Sequence, residues 1–390
     1  MRRLTVIVGI VHLLILSAAA QDMRIVNIRV GQGDSTLIQG PQDAGGNRVN
    51  VLFDAGDIPD LDGGNILRAV LRRYDVNRLD AVIISHDDAD HVGGIAFGGV
   101  HGKSFILGFN DSPGCSGDDD GDGAADWIGA RQFFEPDPEE LGLCDDMRVG
   151  QWIDYGEALM RSTQAIEKYN AIANAMGERI TINNQETVDT FSLDLGGGAV
   201  MTAYAANGYV RGRGARVKNV DRPNERSLSF LVTYGDFDFL ISGDLIGRKS
   251  GSENAQVEEA VAEAILRDGR IVDVLHVNHH GADNGSASVF IDALEPNIAI
   301  ISAGNGNDHK HPRNGALKRL YDGNVYRTIL TSFGNSRDRI SNEVRSRIAV
   351  YQNDVVITTD GDSYEISTRR AFRADKNCVR DPSTCSRGLR

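Results

Sequence analysis

Apolar positions along the chain gather into short runs that stop at small or charged residues, with helically spaced stripes between several of them. Ile25, Val26, Ile28 and Val30 predict a strand, Gly31-Gln32-Gly33-Asp34 a turn, and Ser35 to Ile38 a second strand. A third apolar run, NVLFDAG at 50 to 56, carries Asp54 at its end. Ile66, Leu67, Val70, Leu71 and Tyr74 then recur at helical spacing. Four successive apolar residues, Ala81 to Ile84, predict a buried strand that is cut off at Ser85-His86. Further along, a helical stripe covers 159 to 176, and short strands within 188 to 205 are broken by Gly196-Gly197-Gly198. A hairpin is predicted from 227 to 242 through Gly235-Asp236, then a helix over 257 to 266 and a strand over 271 to 277. More strands follow at 297 to 302, 325 to 331, and 355 to 366 around Asp360-Gly361. Strands alternating with helices predict an α/β layer architecture with helices outside the sheets.

The chemistry-bearing residues cluster where these strands end. His86, Asp88, Asp90 and His91 form H-x-D-x-D-H before Gly93-Gly94, a density of imidazole and carboxylate that suits one or two divalent ions. An ordinary helix cap would need one acidic residue and no flanking histidines. Asp244 ends the hairpin's second strand, where capping the next element is an equal reading of the residue alone. The strand at 271 to 277 runs into His279-His280-Gly281, and the one at 297 to 302 is followed by Asn307, His311 and Pro312.

Composition adds constraints on compartment and partners. Residues 1 to 20, with Arg2 and Arg3 before a short apolar run and then Ser17-Ala18-Ala19-Ala20, read as a secretory signal peptide, so the mature chain is expected to be secreted or periplasmic without stable membrane insertion. With 41 basic against 55 acidic residues, a broad electrostatic grip on nucleic acid is disfavoured. Cys115 with Cys144 and Cys378 with Cys385 are the simplest disulfide pairs of three connectivities. The glycine-rich, acidic span 97 to 160 reads as an insertion in one hydrolase-sized domain (21 to 370), followed by a basic tail at 371 to 390 that holds the second cysteine pair. Within the insertion, Asp118, Asp120, Asp122 and Asp126 match the first nine positions of a calcium loop, but Gly129 stands where its last ligand belongs, so a solvated acidic loop is the competing reading. The basic run RGRGARVKNVDRPNER at 211 to 226 reads first as a solvated loop and second as a phosphate-facing lip.

Taken in order, VGQGDS, D-x-G at Asp54, H-x-D-x-D-H, N-x-x-S at Asn224 and Ser227, SGD at Asp244, L-x-x-x-H-H-G from Leu275 and N-x-x-x-H-P from Asn307 resemble the metallo-β-lactamase superfamily. Asp88 replaces the usual second histidine, which resembles the branch containing the extracellular hydrolase domain of the competence protein ComEC, a DNA-uptake channel. The serine that should close the H-H-G motif is out of register, Gly285 standing in its place. This resemblance implies an αββα sandwich with His86, Asp88, Asp90, His91, Asp244 and His279 holding two divalent ions, zinc or manganese. Asp90, His280 and His311 would act in catalysis; Asp34, Asp54, Asn224, Ser227 and Asn307 would order the site. The implied activity is a phosphodiesterase or nuclease using a metal-activated water on DNA, nucleotides or cell-wall polymers. A metallo-esterase, lactonase or β-lactamase is the first alternative, since fold does not fix substrate. A non-catalytic, metal-stabilised surface-binding protein is the second.

Overall fold

The computed structural model describes residues 22–57, 63–97, 147–247, 256–334, 340–367 and 372–375. The signal-peptide segment, the four cysteines and the calcium-loop aspartates Asp118, Asp120, Asp122 and Asp126 lie outside the described residues.

The chain opens with β1 (Met23–Asn27), β2 (Thr36–Gln39), β3 (Asn50–Phe53), β4 (Arg78–Ile83), β5 (Arg148–Asp154) and β6 (Glu178–Thr181), which pair in that order. The first three are antiparallel; β3 to β6 run parallel. A second sheet follows from β7 (Ser192–Gly196), β8 (Ala199–Ala206), β9 (Tyr209–Val210), β10 (Ser229–Tyr234), β11 (Phe237–Ile241), β12 (Val274–His276), β13 (Ile298–Ile301), β14 (Arg327–Leu330) and β15 (Ile348–Val350). The chain then returns to the first sheet, where β16 (Val355–Thr359) pairs with β1 and is followed by β17 (Ser363–Ser367) and β18 (Phe372–Asp375).

Alternation within the strands assigns the layers. Val51 and Phe53 of β3 face Phe230 and Val232 of β10 and Phe239 and Ile241 of β11 in the core between the sheets. Leu52, on the opposite face of β3, packs instead with Leu67 and Leu71 of α1 (Gly63–Arg73), Val92 and Ile95 of α2 (Ala89–Phe97), and Ile166 and Tyr169 of α3 (Gln164–Ala175). The short helix α4 (Gln185–Thr190) lies in the crossover from the first sheet to the second, and α5 (Pro223–Arg226) between β9 and β10. The outer face of the second sheet takes Val261 and Ile265 of α6 (Val257–Arg267) and Phe290 of α7 (Ser288–Leu294), then Leu317 of α8 (Asn314–Asp322) and Val344 of α9 (Asn342–Ser346). Two sheets with helices on both outer faces form the αββα sandwich. Strands buried on both sides explain why Ala81 to Ile84 is unbroken by polar residues.

One expected boundary moves. The span 97 to 160 overlaps the sheet, because Arg148–Asp154 is β5, hydrogen-bonded between β4 and β6. Its Trp152 and Ile153, and Tyr155 just after it, are buried residues whose strand signal is hidden by the acidic stretch before them. The strand expected from Ile271 begins only at Val274, and Ile271 itself is exposed.

Candidate metal centre

The functional side chains gather at the carboxyl ends of β4, β11, β12 and β13, where loops from the two sheets meet. After β4 the chain turns at Ser85-His86 and enters α2 at Ala89, so His86, Asp88, Asp90 and His91 fall on one tight turn. Close backbone approach is required on both sides of it. Gly33 has φ +113°, and a side chain there would meet the Asp90 carbonyl at 2.3 Å; one at Gly243 would meet Ser85 Oγ at 2.3 Å. These glycines bring Asp34 and Asp244 against the turn.

Asp244 is buried and divides its carboxylate between two groups. Its Oδ1 lies 3.2 Å from His91 Nε2 and 3.3 Å from His280 Nε2, with Asp90 Oδ2 3.1 Å from the same His280 nitrogen. Its Oδ2 lies 3.5 Å from His279 Nε2 and 3.9 Å from His86 Nε2, which in turn is 3.3 Å from Asp88 Oδ2. Asp34, His91, Asp244 and His280 can each direct one atom to a common point; so can His86, Asp88 and Asp244. The donor set fits divalent ions. Buried Nε2 atoms of His86, His91 and His280 and Oδ1 of Asp244 make no hydrogen bond, an arrangement that is costly unless something else coordinates them.

Outer contacts fix these groups. Asp54, itself at φ 57°, accepts from His91 Nδ1 at 2.7 Å and from the backbone N–H and hydroxyl of Ser85, both at 2.7 Å. That carboxylate–histidine pair orients Nε2 toward the centre. Asp34 lies 3.5 Å from His280 Nδ1 and 3.5 Å from His276 Nε2. Asn224 Nδ2 is 3.3 Å from Asp244 Oδ2 and 3.5 Å from His279 Nε2. Ser227 is buried beside this loop without a hydrogen bond to a ligand. Asn307 holds the next loop, donating to the Gly304 and His311 carbonyls and accepting from the His311 N–H at 2.8 Å.

Electrostatics follow from burial. Desolvation opposes ionisation of Asp244 and Asp90, but the surrounding imidazoles, His280 and His91 chief among them, keep both carboxyls well below the usual range. Burial also opposes a charged His91 or His280, yet Asp244 with Asp54 and Asp34 holds both well above the ordinary imidazole value. In the metal-free protein those protons occupy positions that a cation would take. His311 goes the other way: burial, then its neighbours His280 and His279, push it down to about 3. Its ring centroid is 5.6 Å from that of His279 and 6.1 Å from that of His280.

The two histidines of the pair sit in different parts of the centre. His280, expected near the substrate, is buried among Asp90, His91 and Asp244, whereas His279, expected to complete the ligand set, has a side chain 21% exposed beside Asp244 and Asn224. Both have left-handed backbones, φ 53° and 52°, which turn consecutive side chains to different parts of the centre at a cost of about 1–3 kcal/mol each. Sequence spacing carries no sign of that twist. Sequence reasoning also missed His276, Asp87, Tyr155 and Arg161. Asp87 accepts from the Tyr155 hydroxyl and from Arg161, whose Nη2 also reaches Asp88. The H-x-D-x-D-H spacing steps over Asp87. Of the basic run, Arg211, Arg216 and Arg226 donate to backbone carbonyls, so these three tie the loop to the scaffold.

A two-sheet sandwich with helices outside and a histidine–aspartate cluster at its strand ends resembles the metallo-β-lactamase fold. Residues 28–97, which contain Asp34, Asp54 and the H-x-D-x-D-H turn, match the family described as the Metallo-beta-lactamase superfamily. Among curated proteins, the chain resembles ComE operon protein 3 of Bacillus subtilis (33% identical over 97 residues) and Competence protein ComA of Neisseria gonorrhoeae (29% over 111). Recombination protein 2 of Haemophilus influenzae is 32% identical over 98 residues. These matches span 25%, 26% and 25% of this chain and only 11%, 14% and 11% of the respective relatives. A solved metal-dependent hydrolase of the beta-lactamase superfamily aligns over 84% of this chain and 95% of its own, at 12% identity and a TM-score of 0.38. A beta-lactamase domain protein from Burkholderia ambifaria aligns over 60% and 58%, at 13% identity and a TM-score of 0.26. The chain therefore resembles the metallo-β-lactamase superfamily and, within it, the ComEC-type proteins.

Proposed function

We propose that this chain is an exported, metal-dependent phosphodiesterase or nuclease whose site holds two divalent ions, zinc or manganese. The observation that carries the reading is the division of Asp244 between two ligand groups: Oδ1 faces His91 and His280, and Oδ2 faces His86 and His279. Asp90 belongs to the first group and Asp88 to the second. Divalent ions at such positions supply Lewis acidity, lowering the pKa of water and offsetting charge on phosphoryl oxygens. The oxygen-rich donor set favours manganese more than a histidine-dominated one would.

The chain's own residues do the remaining work. Asp54 fixes His91, and Asn224 steadies Asp244 and His279. With its pKa pushed down to about 3, His311 is a neutral imidazole at neutral pH. It therefore acts by donating an N–H hydrogen bond to a substrate oxygen. Arg161, half-exposed and paired with Asp87 and Asp88, borders the site. DNA, cyclic or linked nucleotides, and cell-wall polymers joined through phosphate all present the required diester.

The test is hydrolysis by the purified chain, loaded with manganese or zinc, of bis(p-nitrophenyl) phosphate, DNA and nitrocefin in parallel. Cleavage of the phosphodiesters is expected. A protein that opens only nitrocefin, or cleaves only carboxylic esters, keeps the fold and contradicts the phosphodiesterase reading.

A further inference from the structure

Outside the centre, one buried carboxylate has no part in the reading above. Glu258 lies on α6 with no exposed surface, and all its hydrogen bonds go to the two ends of the histidine loop. Oε1 accepts from Asn278 Nδ2 at 2.7 Å and from the Ser286 N–H at 2.6 Å; Oε2 accepts from the Ala287 N–H at 2.8 Å. Asn278 immediately precedes His279, and its own N–H donates to Ser286 Oγ at 3.0 Å. Arg319 of α8 closes the same loop from its carbonyl side, reaching the oxygens of Ala282, Gly285 and Ser286.

The loop carrying Asp244 is fastened to this one. The His279 N–H donates to the Gly243 carbonyl at 3.1 Å, and the Gly247 N–H to the Asn284 carbonyl at 2.8 Å. A side chain at Gly247 would run into Glu258 Oε2 at 2.0 Å, so glycine there lets the first loop pass directly over the carboxylate. Two consecutive left-handed residues are held only if their surroundings over-determine them, and Glu258 supplies three of the fixing bonds.

We propose that Glu258 is a positioning residue that sets the geometry of His279 and His280 for metal binding, acting through Asn278 and Ser286. The proposal rests on the metal-centre reading but not on the substrate. Burial pushes the carboxyl up to about 7 despite its three donors, consistent with a group kept for these bonds. Glutamine cannot replace it, since one oxygen must face Asn278 and Ser286 while the amide nitrogen would then meet the Ala287 N–H, donor against donor.

Cobalt titration of the metal-free full chain, followed through the d–d absorption of the bound ion, provides the test. Glu258→Gln is expected to weaken cobalt binding by roughly 10- to 100-fold and to shift the spectrum. Asn278→Ala, which removes one of the three bonds, should move both in the same direction by less. A Glu258→Gln protein that melts earlier but binds cobalt with wild-type affinity and spectrum would overturn the proposal. If that variant does not fold, Asn278→Ala decides: weakened binding supports the brace, and wild-type binding refutes it. Wild-type protein that binds no cobalt removes the metal centre and this proposal together, whereas wild-type binding with unaffected variants rejects the brace alone.

Discussion

The two proposed ligand groups on either side of Asp244 are built differently. The group of Asp90, His91 and His280 is enclosed: both histidines are buried, His91 is fixed by Asp54, and His280 Nδ1 lies 3.1 Å from the Ser302 carbonyl. The group of His86, Asp88 and His279 opens outward, with side chains of Asp88 and His279 27% and 21% exposed, and Asp88 is already paired with Arg161. An ion entering the first position would meet pre-oriented donors once the His91 and His280 protons leave, and no guanidinium is paired with that group among the described residues. At the second an ion must share a carboxylate with a guanidinium in partly solvated surroundings. On the two-ion proposal, the contrast means that Asp244 would join an enclosed position to one that is more open to solvent.

The largest effect should come from removing what the two positions share. Asp244→Ala is expected to reduce bound metal from about two ions per chain to one or none and bring phosphodiester hydrolysis to background, with folding retained by circular dichroism. Unchanged metal content would break the shared-bridge picture. Next, His91→Ala and Asp88→Ala should separate the positions. The first is expected to lower metal affinity by more than about 100-fold, the second by roughly 10-fold and for one ion only. Equal losses in equilibrium dialysis would mean that burial does not rank them. Because the carboxylates hold His91 and His280 protonated near neutrality in the metal-free chain, affinity should also rise with pH there, as protons cease to compete.

A smaller change is expected at His311, which belongs to neither position. His311→Ala should slow phosphodiester cleavage by roughly 10²-fold while elemental analysis finds the metals still bound. The smallest effect lies at the opposite end of β12, where burial pushes Asp273 up to about 7. Between its ordinary value near 3.8 and about 7, the folded chain keeps this proton and the unfolded chain releases it. Stability from this group is therefore fully present below the lower value and lost as pH rises through the upper one. Asp273→Asn should flatten that slope in denaturant titrations without touching metal binding, so the metal-linked pH dependence can be read separately.

How much of this was legible beforehand depended on whether the signal was local. The turn of His86, Asp88, Asp90 and His91 announces itself because four donors follow one apolar run, and Asp54 and Asp244 stand out as acids closing strands. The alternation that places Val51 and Phe53 inside and Leu52 outside is likewise written in the strand. By contrast, the different directions of His279 and His280 come from two left-handed residues braced by Glu258, which is 20 positions away from Asn278 and looks like any helix glutamate. Arg161 and Tyr155 reach Asp87 only because β5 pairs with β4, and β5 was hidden at the end of an acidic stretch. Contacts between distant segments leave no spacing to read.

Whether two divalent ions are held unequally across Asp244 is read directly by calorimetric titration of the metal-free chain with manganese. Two binding steps are predicted, the tighter at least about 10-fold stronger, with Asp88→Ala weakening only the weaker, by roughly 10-fold. A single step of one ion per chain, two indistinguishable steps, or loss of the tighter step in Asp88→Ala would contradict the prediction.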